Sequence, residues 1–156
     1  MLRSCRSISL LCCTLLSVGS AHAEFDTNRL WLNAGFYSVH FDASKGLRNA
    51  NPGLGVEYKM DDVWSATAGQ FINSDSERST YLGAYYQPWH AGSWKLGGVA
   101  GLFNGYPNAF GGRWFPAVLP VATLEDRNLG FNFVVIPPLR NRLYGAISIQ
   151  IKFSVK

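Results

Sequence analysis

Beyond residue 23 the chain has no cysteine, since Cys5, Cys12 and Cys13 all precede that point. The remainder can therefore build neither a disulfide framework nor a thiolate metal site. Charge is scarce as well, at 15% of residues, which excludes a disordered chain and a nucleic-acid-binding one. The formal net charge of +4 owes two of its units to Arg3 and Arg6, so it says little about a polyanionic partner. No long apolar run follows residue 23: the longest uncharged stretch, Leu96 to Gly112, is broken by six glycines, Pro107 and two asparagines, which is no transmembrane helix. Helical periodicity is absent throughout. No His/Asp/Glu cluster has metal-ligand spacing, and Gly97, Gly98 and Gly101 are too loosely spaced for a phosphate loop, so no metal or other cofactor is expected.

What is present begins with a leader. Arg3 and Arg6 precede an apolar stretch from Ile8 to Val18, and Ala21-His22-Ala23 places small residues where a signal peptidase reads them. That stretch is about half of the ~20 residues needed to span a bilayer as a helix. Residues 1–23 are expected to be a cleaved signal peptide and 24–156 a single domain. All 5 Trp, 7 Tyr and 10 Phe fall in the second part.

The recurrent pattern there is alternation, in blocks of eight to twelve residues: Leu30–Phe41, Gly53–Met60, Val63–Asn73, Ser79–Pro88, Trp94–Phe103, Phe115–Leu124, Leu129–Ile136 and Leu143–Phe153. The last is the cleanest, with Leu143, Gly145, Ile147, Ile149, Ile151 and Phe153 on one face and Tyr144, Ala146, Ser148, Gln150 and Lys152 on the other. The breaks alternate between long and short, so one rim carries the loops. Eight strands of about this length, short turns at one end, long loops at the other and abundant aromatics predict an all-β, eight-stranded antiparallel up-and-down outer-membrane barrel. A soluble lipocalin-like barrel is the competing architecture, and the low charge of the strands favours the membrane. The expected assembly is a monomer in the bacterial outer membrane.

With both termini in the periplasm, His40 and the Asn73-Ser74 pair share the outer rim. Lys45, Arg48, Arg78, Arg113, Arg140 and Arg142 surround them against Asp42, Asp75 and Glu77. This basic rim suits the phosphates of lipopolysaccharide, although it is equally readable as a solvated surface. Asn and Ser also open tight turns for purely local reasons.

Three prolines stand where a closed barrel should not have them. Pro116 and Pro120 lie in the sixth block and Pro137 closes the seventh, each removing a ladder donor. A weakened seam between neighbouring strands would admit an acyl chain sideways from a bilayer.

It is these residues that carry a resemblance. Phe115-Pro116-Ala117-Val118-Leu119-Pro120-Val121-Ala122, followed by Val135-Ile136-Pro137, resembles the C-terminal half of the PagP family of lipid A palmitoyltransferases. Upstream, His40-Phe41, Asn49 ahead of Pro52-Gly53 with Gly55, and Phe71-Ile72-Asn73-Ser74 are similar to that family's first outer loop, second strand and third-strand end. The resemblance implies a barrel holding one acyl chain, taken from a phospholipid donor and moved to lipid A. It implies catalytic roles for His40, Asn73 and Ser74, with Asn73 standing where the family has an aspartate and Asp75-Ser76 an intact Asp-Ser pair two residues on. An imidazole can take the attacking hydroxyl's proton and return it to the leaving group. Ser74 could be nucleophile or oxyanion donor. Arg48, Pro116, Pro120 and Pro137 are expected around the substrate. Tyr85, or Ala84 with a one-residue gap, falls where the family has a pocket-floor glycine, implying a preference for chains shorter than palmitate. Two other activities fit the same barrel: a lipid A deacylase or phospholipase, and a non-catalytic lipid-binding or structural role.

Overall fold

The computed structural model describes residues 25–139 and 143–156. The expected leader, with Arg140 and Arg142 of the rim, lies outside them. A 3₁₀ turn at Thr27–Arg29 leads into eight strands: β1 (Leu30–His40), β2 (Ala50–Lys59), β3 (Trp64–Ile72), β4 (Arg78–Ala91), β5 (Trp94–Phe103), β6 (Phe115–Asp126), β7 (Leu129–Leu139) and β8 (Leu143–Ser154). Each pairs antiparallel with the next, and β1 closes on β8, giving a closed up-and-down barrel. One end carries the segments 41–49, 73–77 and 104–114, the other only short turns.

Three strand boundaries differ from the alternation pattern by three residues; one is β7, which runs on past Pro137 to Leu139, pairing there with β8, rather than closing at Pro137. β4 runs on to Ala91, so Trp89 and His90 are strand residues rather than part of a turn. A bulge between Tyr86 and Trp89 absorbs Pro88, and pairing resumes at Trp89↔Leu96. Gly97 faces that bulge, where an added Cβ would come within 2.0 Å of the Tyr86 carbonyl oxygen. β2 starts three residues early, at Ala50, because Tyr37↔Ala50 and Phe36↔Asn51 already pair below the loop.

Alternation sends the two faces of every strand to opposite environments, and the polarity is inverted relative to a water-soluble protein. Outside, Leu54 is 80% and Val118 77% exposed, within a broad belt that includes Leu32, Leu82, Leu102 and Ile147. Inside, Lys152, Gln150, Glu57 and Asn132 are almost fully buried. Monomeric soluble proteins rarely expose apolar patches beyond a few hundred Å².

The interior has two storeys. The turn end is filled by polar side chains that satisfy one another. Lys152 Nζ meets Glu57 at 2.7 and 2.9 Å and Glu125 at 2.7 Å, Lys95 reaches Glu125 at 3.3 Å, and Lys59 also pairs with Glu125. Trp31 lies beneath Lys59 and Lys152, 4.4 and 5.2 Å from its ring centroid. Above them Asn132 joins Thr123, Gln150 and the Tyr85 hydroxyl. An apolar layer of Tyr85, Val99, Val121 and Val134, flanked by Leu119 and Ile136, caps this network. The loop-end storey is left hollow.

Candidate functional site

The hollow storey is a cavity of about 130 Å³. Its lining runs from His40, Ser74, Asp75 and Asn108 at the loop end down through Phe71, Tyr81 and Phe103 to Tyr85 and Val134. Most of that wall is hydrocarbon or aromatic. Tyr85 points inward, not Ala84, and is 4% exposed, so its ring closes the cavity from below. Tyr81 crosses the barrel over the inward pair Gly55↔Gly69. A Cβ on either would come within 2.6 Å of its hydroxyl, which is why both are glycine.

At the mouth, three side chains from three segments form a relay. His40 ends β1 with its ring facing the cavity, and its Nε2 lies 2.9 Å from Ser74 Oγ. Its Nδ1 lies 3.0 Å from Asn49 Oδ1. Because that oxygen can only accept, the neutral imidazole carries its proton on Nδ1, which leaves Nε2 a lone pair to accept the Ser74 O–H. The loop supplying Asn49 is held firmly: Ser38 N–H donates to the Asn49 carbonyl at 2.8 Å and Arg48 N–H to the Ser74 carbonyl at 3.0 Å. At its start, Asp42 accepts from the Ser44 hydroxyl and amide, which hold its carboxyl below the usual range.

Asn73 belongs to the same turn but not to the relay. Its Oδ1 accepts from Asp75 N–H at 2.9 Å and Glu77 N–H at 3.0 Å, while its Nδ2 donates to Ser79 Oγ at 2.9 Å and to the Gly105 carbonyl at 2.6 Å. The amide is fully occupied in shaping the Ser74 turn and tying it to the 104–114 loop. Ser76 sits in the left-handed region at φ 65° and is exposed, so the Asp75-Ser76 pair does not replace Asn73-Ser74 beside the histidine. Tyr106 lines the cavity from the opposite loop; burial, and then the Asp75 carboxylate, raise its phenol above the ordinary range, keeping it protonated.

The prolines act on the wall rather than on the cavity surface. Pro116, Pro120 and Pro137 all face outward. β5 and β6 pair over the whole length of β6, from Phe103↔Phe115 to Trp94↔Leu124. β6 and β7 pair only from Val121↔Val134 to Asp126↔Leu129. Beyond Val121 the segment bearing Pro116 and Pro120 has no ladder to β7, and β7 itself continues through Pro138 against β8 alone. Ala117, Leu119 and Ile136, which flank this unzipped stretch, also line the cavity. Arg48 does not line it; its Nε is 2.5 Å from the Ala50 carbonyl at the rim.

The structure brings together His40 and Ser74, which share the expected rim, and gives the histidine a further partner, Asn49, to which the alternation pattern does not point. The available signal was its place at the foot of the loop returning to β1, opposite Ser38. No protein-family model matches the chain, and no curated protein matches it either.

Proposed function

We propose that this protein is an outer-membrane barrel that transfers an acyl chain from a phospholipid to lipid A, as the resemblance to the PagP family implies. The observation that carries the reading is the Ser74–His40–Asn49 relay standing at the mouth of an apolar cavity whose side wall is unzipped between β6 and β7. The exposed apolar belt supports a lipid surround, and the gap supplies a lateral path for a hydrocarbon tail.

In this reading the tail lies in the cavity with its ester at the mouth. Ser74 Oγ attacks the ester carbon as its proton passes to His40 Nε2. The tetrahedral intermediate collapses, the bond to the glycerol oxygen breaks, and the Nε2 proton goes to that oxygen, releasing the lysophospholipid. A lipid A hydroxyl then attacks the acyl-serine, giving its proton to Nε2 and receiving the acyl group, and the proton returns to Ser74. Asn49 holds the reactive tautomer without supplying charge, as the asparagine does in Cys-His-Asn relays. The basic rim attracts the acceptor's phosphates.

The test is mass spectrometry of lipid A and phospholipids from cells with and without the protein, beside the variant His40→Ala. Lipid A should gain one acyl group only with the unaltered protein, at the expense of phospholipid. Free fatty acid without heavier lipid A means hydrolysis, and an unchanged lipid profile means a non-catalytic barrel; either result overturns the proposal.

A further inference from the structure

One polar group at this site has no partner. Asn51 on β2 is 2% exposed and lines the cavity, yet among the described residues neither its Nδ2 nor its Oδ1 makes a hydrogen bond. A buried amide left without partners loses its bonds to water and gains none in return, and native structures keep few of them. The Ser38 and Ser148 hydroxyls, one inward position nearer the rim, bond each other at 2.7 Å. The polar storey that could have absorbed the amide lies on the far side of Tyr81 and Tyr85.

The position of Asn51 is specific. It pairs with Phe36, one inward position below Ser38 and two below His40, on the strand that begins just after Asn49. Same-face residues two apart are about 7 Å apart along a strand. Because Gly53 pairs with Phe71, Asn51 two residues nearer the rim stands level with Asn73, one residue before Ser74, so the amide lies on the cavity wall beside the Ser74 turn. A chain occupying the cavity places its only polar atoms, those of the ester, beside that turn.

We propose that Asn51 Nδ2–H is the donor that binds the ester carbonyl oxygen of the acyl chain and holds the oxyanion formed from it. The inference rests on the acyl-transfer reading above. When Ser74 Oγ bonds to the carbonyl carbon, the C=O π pair moves onto oxygen and the Ser74 proton moves to His40 Nε2. The new negative charge then lies on the atom that Asn51 faces. When the pair returns and the glycerol oxygen leaves with the Nε2 proton, the hydrogen bond relaxes to that of a neutral carbonyl. The unpartnered amide is thereby explained as a site left open for its ligand, at a local cost in stability.

Two measurements test this. With purified, folded protein in micelles and a phospholipid donor, Asn51→Ala is expected to lower kcat by ~100-fold while KM changes little, since the bond strengthens only as charge develops. Asn51→Asp, which keeps the shape and loses the donor, is expected to do the same. Folding of each variant is checked by its mobility on an unheated gel. The second measurement needs no turnover: the infrared carbonyl band of a lysophosphatidylcholine, isotope-labelled at its ester carbon, bound to Ser74→Ala protein. That band should shift to lower frequency and lose the shift when Asn51→Ala is added. A shift that depends on Asn51, where the unaltered protein transfers no acyl group, refutes the acyl-transfer reading and leaves Asn51 as an ester-binding residue. A band indifferent to Asn51, or full kcat in a folded Asn51→Ala protein, overturns the assignment.

Discussion

Removing the Lys152 charge should weaken the barrel far more than removing the Glu57 charge opposite it. Lys152 is fully buried and bridges two carboxylates, Glu57 at 2.7 Å and Glu125 at 2.7 Å. Glu57, 1% exposed, has Lys152 as its ion partner, with only a 3.4 Å contact from Asn132 besides. Glu125, by contrast, also meets Lys59 and Lys95. In Lys152→Met, Glu57 is stranded in the interior, and breaking a buried pair in that way costs ~3–5 kcal/mol. In Glu57→Gln, Lys152 keeps Glu125 and the amide oxygen still accepts from it, so the loss is about that of a single hydrogen bond, ~1 kcal/mol. The double variant removes the stranded charge and should recover ~2 kcal/mol or more of the Lys152→Met deficit. Net cluster charge argues the other way, because Glu57→Gln leaves three lysines around one carboxylate. Lys59 and Lys95 side chains are 20% and 22% exposed, however, so water at the turn end screens them. The assay is urea unfolding in lipid vesicles, followed by tryptophan emission and unheated gel mobility, with free energies extrapolated to zero denaturant. Glu57→Gln costing as much as Lys152→Met would falsify the pairing argument and leave net charge as the governing quantity.

Two further outcomes follow from the site. Tyr85→Ala should shift acyl selectivity from chains shorter than palmitate toward longer ones, each extra methylene housed being worth ~0.8 kcal/mol, or about fourfold. Profiling released lysophospholipid from mixed donors reads this out, and identical profiles for both proteins would show that Tyr85 is not the floor. Asn73→Asp, which installs a charge beside Ser74, should lower rather than raise activity, because a carboxylate facing the Gly105 carbonyl loses the bonds that Nδ2 makes, at ~1–3 kcal/mol. A rise in acyl transfer by the folded variant would mean that residue 73 acts on His40 after all.

The barrel was legible because period-2 alternation records directly which face of a strand is lipid-like and which is not. β8 illustrates it: Ser148, Gln150 and Lys152 interrupt isoleucines at every second position, and all three are buried. The strand ends were less legible where a bulge intervened, since Pro88 reads as a stop in a chain but is harmless where two residues oppose one. The prolines of β6 point to a seam, and the ladder does fail there, on the β7 side only. The resemblance points to Asn73 because it stands where the family has an aspartate, next to Ser74. Adjacency in a turn sends neighbouring side chains in different directions, and its amide goes to backbone N–H groups and the 104–114 loop instead.

The sequence by itself determined the strand number, the alternation of long and short connections, and the placing of His40 and Ser74 at one rim. These are consequences of local periodicity and of strand direction, which are one-dimensional properties. Only the tertiary structure decided that Asn49 rather than Asn73 meets His40, that Tyr85 rather than Ala84 faces inward, and that Asn51 is buried with its amide unused. Each of those depends on where a hairpin folds back and which side chains cross the closed barrel. Hydrogen bonds between residues distant in the chain are set by closure, and no pattern along the chain encodes them.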